Sequence, residues 1–143
     1  MQCSRLSSVA LSAVLLLGAA GCGSSKYQPV SGQVVYADGS PVKGLEGGQV
    51  IFEPASAAEG NATSATGPLD SEGRFELGSE EPGDGATAGM NKALISPPTP
   101  TGDVPLPAVI HSKYERFETS GLEFEVKPGA NEFKITVEPA ERR

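Results

Sequence analysis

The sequence predicts an all-β chain whose body is a β-sandwich, preceded by a short apolar leader. Three observations predict it. Apolar and polar residues alternate in short runs, the 18 glycines and 12 prolines gather between those runs, and beyond Cys22 no window of about a dozen residues keeps a helical apolar period. A chain of 143 residues suits one domain with a short appendage.

Charge and cysteine usage narrow the function classes. The chain carries 18 acidic and 11 basic residues, a net charge of −7, and because Arg5 is the only charge ahead of Cys22 the remainder carries −8. Such a surface repels phosphate backbones, so no nucleic-acid partner is expected. Both cysteines, Cys3 and Cys22, fall at the start. Processing at Cys22 leaves no pair to oxidise, and stability must then come from core burial.

The leader opens weakly positive, with Arg5, and continues through residues 9–21 as small or apolar residues interrupted only by Ser12. This run of about 13 residues is shorter than the roughly 20 that span a bilayer, and no stop-transfer pattern follows, so a cleaved helical signal peptide over residues 1–21 is expected. Leu17, Gly18, Ala19, Ala20 and Gly21 lead directly into Cys22. That junction resembles the lipobox of bacterial lipoprotein precursors, with Ala19 where those most often carry Leu. The resemblance implies cleavage between Gly21 and Cys22 and acylation of the Cys22 sulfur by palmitate-type chains. More than one acyl chain suffices for stable anchoring. The alternative of a buried thiol fails because Gly21, Gly23, Ser24 and Ser25 cannot build a core around it. Residues 22–28 read as a lipidated tether.

The body is expected over residues 29–138. Val30, Val34 and Tyr36 share one side of a period-two pattern, Asp38-Gly39 supplies a turn, and Val50 and Phe52 resume the pattern beyond a Gly-rich connection. Residues 55–66 read as an exposed loop. Within it Asn61-Ala62-Thr63 matches the N-glycosylation pattern, a coincidence in a bacterial-type precursor. A turn over residues 71–73 precedes a short strand with Phe75 and Leu77 inward. Asp70 and Glu72 lack the further oxygen ligands of a calcium loop, and a polar turn capped by Asp70 is the better reading.

Residues 80–85 form an acidic, breaker-rich loop, and residues 89–96 a further strand interrupted by Asn91 and Lys92. The five prolines between residues 97 and 107 exclude a central strand and predict an extended surface crossover. At the carboxyl end Leu122, Phe124 and Val126, then Phe133, Ile135 and Val137, alternate with charged or polar residues across Pro128-Gly129. An antiparallel hairpin with one buried face is expected, its outward charges discouraging edge-to-edge aggregation. Residues 139–143 are expected to fray as a disordered tail.

Taken together, Val30-Ser31-Gly32-Gln33-Val34, Asp38-Gly39, Val50-Ile51-Phe52-Glu53-Pro54, Asp70, Gly73-Arg74-Phe75, Gly83-Asp84-Gly85, Lys113-Tyr114, Gly121-Leu122 and Pro128-Gly129 resemble small bacterial lipoproteins with a carboxypeptidase-regulatory-like, transthyretin-like domain. The resemblance covers most of residues 29–138. It implies a seven-stranded Greek-key sandwich of the prealbumin-like or Ig-like kind, related to collagen-adhesin B-type repeats, and carries over no catalytic residue. Asn91 and Ala93 depart from the family, which usually has an aromatic or His and a Val there. The departure implies a strand that packs less well or sits at an edge.

The function expected is therefore a membrane-anchored, extracytoplasmic lipoprotein, on an outer membrane or cell surface more than an inner one. Its sandwich would be a non-catalytic binding or structural module of the cell envelope, with a protein or glycan partner and no cofactor. An alternative, by analogy with prealbumin, is a small-molecule or ion carrier. A hydrolase is disfavoured: His111 beside Ser112 lacks an orienting third group, and one His with dispersed carboxylates makes no transition-metal site.

Overall fold

The computed structural model describes residues 25–56 and 63–141. Its elements, in chain order, are β1 (Tyr27–Gln28), β2 (Val30–Tyr36), β3 (Gln49–Pro54), β4 (Ala65–Pro68), β5 (Arg74–Glu76), β6 (Ala86–Thr87) and β7 (Gly89–Ser96). A 3-10 turn (Ser112–Glu115), the single-turn helix α1 (Phe117–Ser120), β8 (Leu122–Val126) and β9 (Asn131–Val137) complete them. The described chain is thus nearly all β.

Two sheets form the layers, one ordered β5-β2-β9 and the other β4-β3-β7-β8, and a ribbon of β1 with β6 stands apart. Alternation on each strand turns one face inward. Val30 and Val34 of β2, Phe75 of β5 and Ile135 and Val137 of β9 meet Val50 and Phe52 of β3, Ala93 and Ile95 of β7 and Val126 of β8 in a single core. Phe52 stacks on Phe124 (centroids 5.4 Å apart) and on Phe133 (6.1 Å), while Phe124 and Phe133 lie 4.9 Å apart. These three rings tie both sheets together, and such pairs add to their burial energy.

Three expectations are corrected. The carboxyl-terminal strands are not a hairpin: β8 pairs antiparallel with β7, whereas β9 pairs parallel with β2 along its whole length. Residues 127–130 carry the chain from one sheet to the other. Period-two alternation specifies which face is buried and says nothing about the neighbour, so it fits this arch as well as a hairpin. β2 and β3, joined by residues 37–48, lie in different sheets.

The strand with Asn91 is central, between β3 and β8. Asn91 is 1% exposed, and its side-chain amide donates to the carbonyls of Thr87 (3.0 Å) and Gly89 (2.9 Å). Both donors are thereby satisfied, while the buried Oδ1 has no hydrogen-bond partner among the described residues. Contacts also reach beyond residues 29 and 138. Tyr27 is buried and paired with Thr87, Pro139 bridges to Ile110, and the Ala140 N–H donates to the Val109 carbonyl. Finally, residues 65 and 66 belong to β4, paired with Phe52 and Ile51. Ala65, Thr66, Gly67 and Pro68 carry too little apolar character to announce a strand.

Candidate functional site

The strand register defines two ends. β2 and β9 run together from Val30 and Asn131 to Tyr36 and Val137, roughly 20 Å at ~3.3 Å per residue. At the first end the chain enters the fold. There Gln28 accepts from the Gly129 N–H (2.8 Å), the Tyr27 hydroxyl donates to Glu80 (2.8 Å), and Lys26 pairs with the same carboxylate at 2.9 Å. The Lys26 hydrogen bond, then that of Tyr27, holds the Glu80 carboxyl below its usual range.

Beside it Asp84 organises the acidic loop by accepting from the backbone N–H groups of Ser79, Glu80 (3.1 Å) and Glu81 (3.0 Å). These bonds, the one from Ser79 foremost, lower the Asp84 pKa, because hydrogen bonds to the charged form favour it.

Residues 97–109 lie at the other end. Ser96 pairs with Gln49 where β3 begins, and the Tyr36 hydroxyl donates to the Val109 carbonyl (3.0 Å), fixing the end of the loop over the end of β2. The loop is a surface segment in which Val104 is 75% and Leu106 49% exposed. Beneath it Leu45, Pro98, Pro100, Leu106, Pro107 and Val109 line a groove of about 260 Å³. Apolar residues interleaved with prolines were the sequence signal for this groove. The prolines alone predict the surface crossover.

His111 also stands at this end, committed to structure. Its Nδ1 accepts from the Lys113 N–H (3.1 Å), capping the 3-10 turn, and its Nε2 faces Glu141 Oε1 at 3.2 Å. Among the described residues no hydrogen bond joins His111 to the exposed Ser112. Nearby Lys113 pairs with Glu138 at 2.7 Å, a bond that lowers the Glu138 pKa and raises that of Lys113. The Tyr114 hydroxyl accepts from the Glu138 N–H (3.1 Å), which ties this turn to the end of β9.

Asp70 caps its turn as expected, one carboxylate oxygen accepting from the N–H groups of Glu72 and Arg74, each at 2.8 Å. It borders an open cleft of about 930 Å³ with Arg74, Glu76, Glu80 and Glu81. Among the described residues no three His, Cys, Asp or Glu side chains gather as a metal site. Gly21, Cys22, the leader over residues 1–21 and Asn61 lie outside the described residues. No helix among the described residues is long and apolar enough to cross a membrane.

No family model and no curated protein matches the chain. Among solved structures it is similar to a DUF3823 family protein from Parabacteroides merdae ATCC 43184, at 16% identity and a TM-score of 0.47, over 80% of this chain and 47% of that one. A DUF3823 family protein from Bacteroides ovatus ATCC 8483 is similar at 15% identity and a TM-score of 0.43, over 78% and 45% of the respective chains. The chain therefore spans about half the length of the solved structures it matches.

Proposed function

We propose that this chain is a membrane-anchored, extracytoplasmic bacterial lipoprotein. In this reading the precursor is cleaved between Gly21 and Cys22, Cys22 is acylated, and the domain is a carboxypeptidase-regulatory-like, transthyretin-like sandwich. That domain acts in the cell envelope as a non-catalytic binding or structural module, toward a protein or glycan partner. The finer architecture is supported by the strand order, three strands as β5-β2-β9 and four as β4-β3-β7-β8.

The observation that carries the reading is where the chain enters the fold. Ser25 and Lys26 are exposed, Tyr27 is held in the β1–β6 ribbon, and the longest proline-rich loop lies at the opposite end of β2. An acyl chain on Cys22, just ahead of Ser25 in sequence, would leave that loop end clear of the membrane. Fractionation of cells expressing Cys22→Ser is the test, with Cys3→Ser as control. The Cys22 variant is expected to leave the membrane fraction and the Cys3 variant to stay. A Cys22→Ser chain that remains membrane-bound overturns the anchor.

A further inference from the structure

The two sheet edges beside the Phe124–Phe133 contact differ in one respect that concerns association. Hydrogen bonds identify which residues of each edge strand face outward. The Val34 N–H donates to the Gly73 carbonyl, and the Leu77 N–H to the Val30 carbonyl, so the even-numbered residues of β2 face β5 and the odd-numbered ones face β9. In the parallel register Ser31 lies opposite Glu132, which directs the backbone groups of Asn131, Phe133, Ile135 and Val137 toward β2. The Asn131 N–H on the Pro29 carbonyl fits that phase. So does Glu138, whose carbonyl accepts from His111 on the opposite side.

The backbone N–H and C=O groups of Glu132, Lys134 and Thr136 therefore point away from the sheet, and among the described residues none has a protein partner. All three side chains are exposed. Glu132 and Lys134 form no ion pair among the described residues, their neighbours on β2 being Ser31 and Gln33. Phe133, between them, is only partly buried. An edge of this kind is a template for another strand.

We propose that β9 is a self-association edge: two copies of this chain pair antiparallel through β9 about a two-fold axis at Phe133. Glu132 of each copy then lies opposite Lys134 of the other. Those pairings exchange four backbone hydrogen bonds, set two opposite-charge pairs on the outer face, bring the Phe133 rings together, and join two three-stranded sheets into one of six.

Charge selects this register. Centring the pair on Lys134 would oppose two lysines. The β8 edge carries Glu123 and Glu125 outward, and an antiparallel self-pairing of β8 centred on Glu123, Phe124 or Glu125 opposes glutamates. Val30 is level with Asn131, so with a ~3.3 Å rise and ~4.8 Å strand spacing the two copies of Val30 lie about 20 Å apart, on opposite sides of the axis along the strand direction.

Sedimentation equilibrium of the full chain in density-matched detergent tests the pairing, using E132K, K134E and the double swap E132K/K134E. The wild type is expected to dimerise, and each single swap to raise the dissociation constant roughly tenfold or more by opposing like charges. The double swap is expected to restore it, which also shows that the substituted strand still folds. A monomeric wild type, or single swaps without effect, overturns the proposal. So does a double swap as weak as the singles, since that result fits a head-to-tail pairing in which Glu125 faces Lys134 and Lys127 faces Glu132. The inference does not rest on acylation, because membrane fractionation and the response to charge swaps are separate readouts.

Discussion

Gly32 sits inward on β2, in register with Phe75 on one side and Phe133 on the other. A Cβ there would meet the Phe133 carbonyl oxygen and come within 2.7 Å of the Phe75 ring. The absent side chain lets an aromatic ring lie against the strand, so Gly32→Ala should cost about 1–3 kcal/mol through overpacking. Phe52 is fully buried at the junction of the three stacked rings. Phe52→Ala should cost about 3–5 kcal/mol, against about 0.5 kcal/mol for Lys43→Ala at an exposed position. Urea midpoints at constant slope measure all three, and a Gly32→Ala variant unfolding with the wild type would contradict the close approach. The inward side of this region was legible, because Phe133, Ile135 and Val137 alternate with charged or polar residues. The contact with Gly32 was not, since it arises from strands distant in sequence.

At the scale of elements, alternation disclosed β2, β3, β5, β7, β8 and β9 but not which strand lies beside which. The turn at Pro128-Gly129 suits a hairpin locally, and only the closing of two sheets over one core sends β9 to β2. β4 and the β1–β6 ribbon stayed hidden for a simpler reason: they are short, and Thr66, Gly67, Gln28 and Thr87 supply no apolar stripe. Polar turns were more legible, since an Asp before glycine has few competing uses. The loop of residues 79–85 depends on Asp84 as an acceptor of backbone N–H groups. Asp84→Asn should lower the urea midpoint and loosen amide exchange at Ser79, Glu80 and Glu81. Because the folded Asp84 pKa lies below its ordinary 3.8, its contribution is fully present above about pH 3.8 and disappears as the pH falls through the depressed value. Wild type and Asp84→Asn should therefore converge in stability under acid. A gap between them that persists to the lowest pH would contradict the role given to the carboxylate.

For the whole molecule, alternation after Cys22 announced a β body, and the described residues form two sheets around one core, whereas the leader and Cys22 lie outside the described residues. The groove beneath residues 97–109 and the contrast between the β8 and β9 edges depend on which strands become neighbours, which a one-dimensional pattern does not specify. The proposed processing at Cys22 adds one claim to this fold: a sandwich entered at one end by a chain whose mature amino terminus is Cys22. Intact and peptide mass spectrometry of the chain purified from membranes tests that claim most directly. The predicted result is a protein whose first residue is Cys22, carrying acyl chains. A membrane-derived chain that begins elsewhere, or begins at Cys22 without acyl mass, would contradict it.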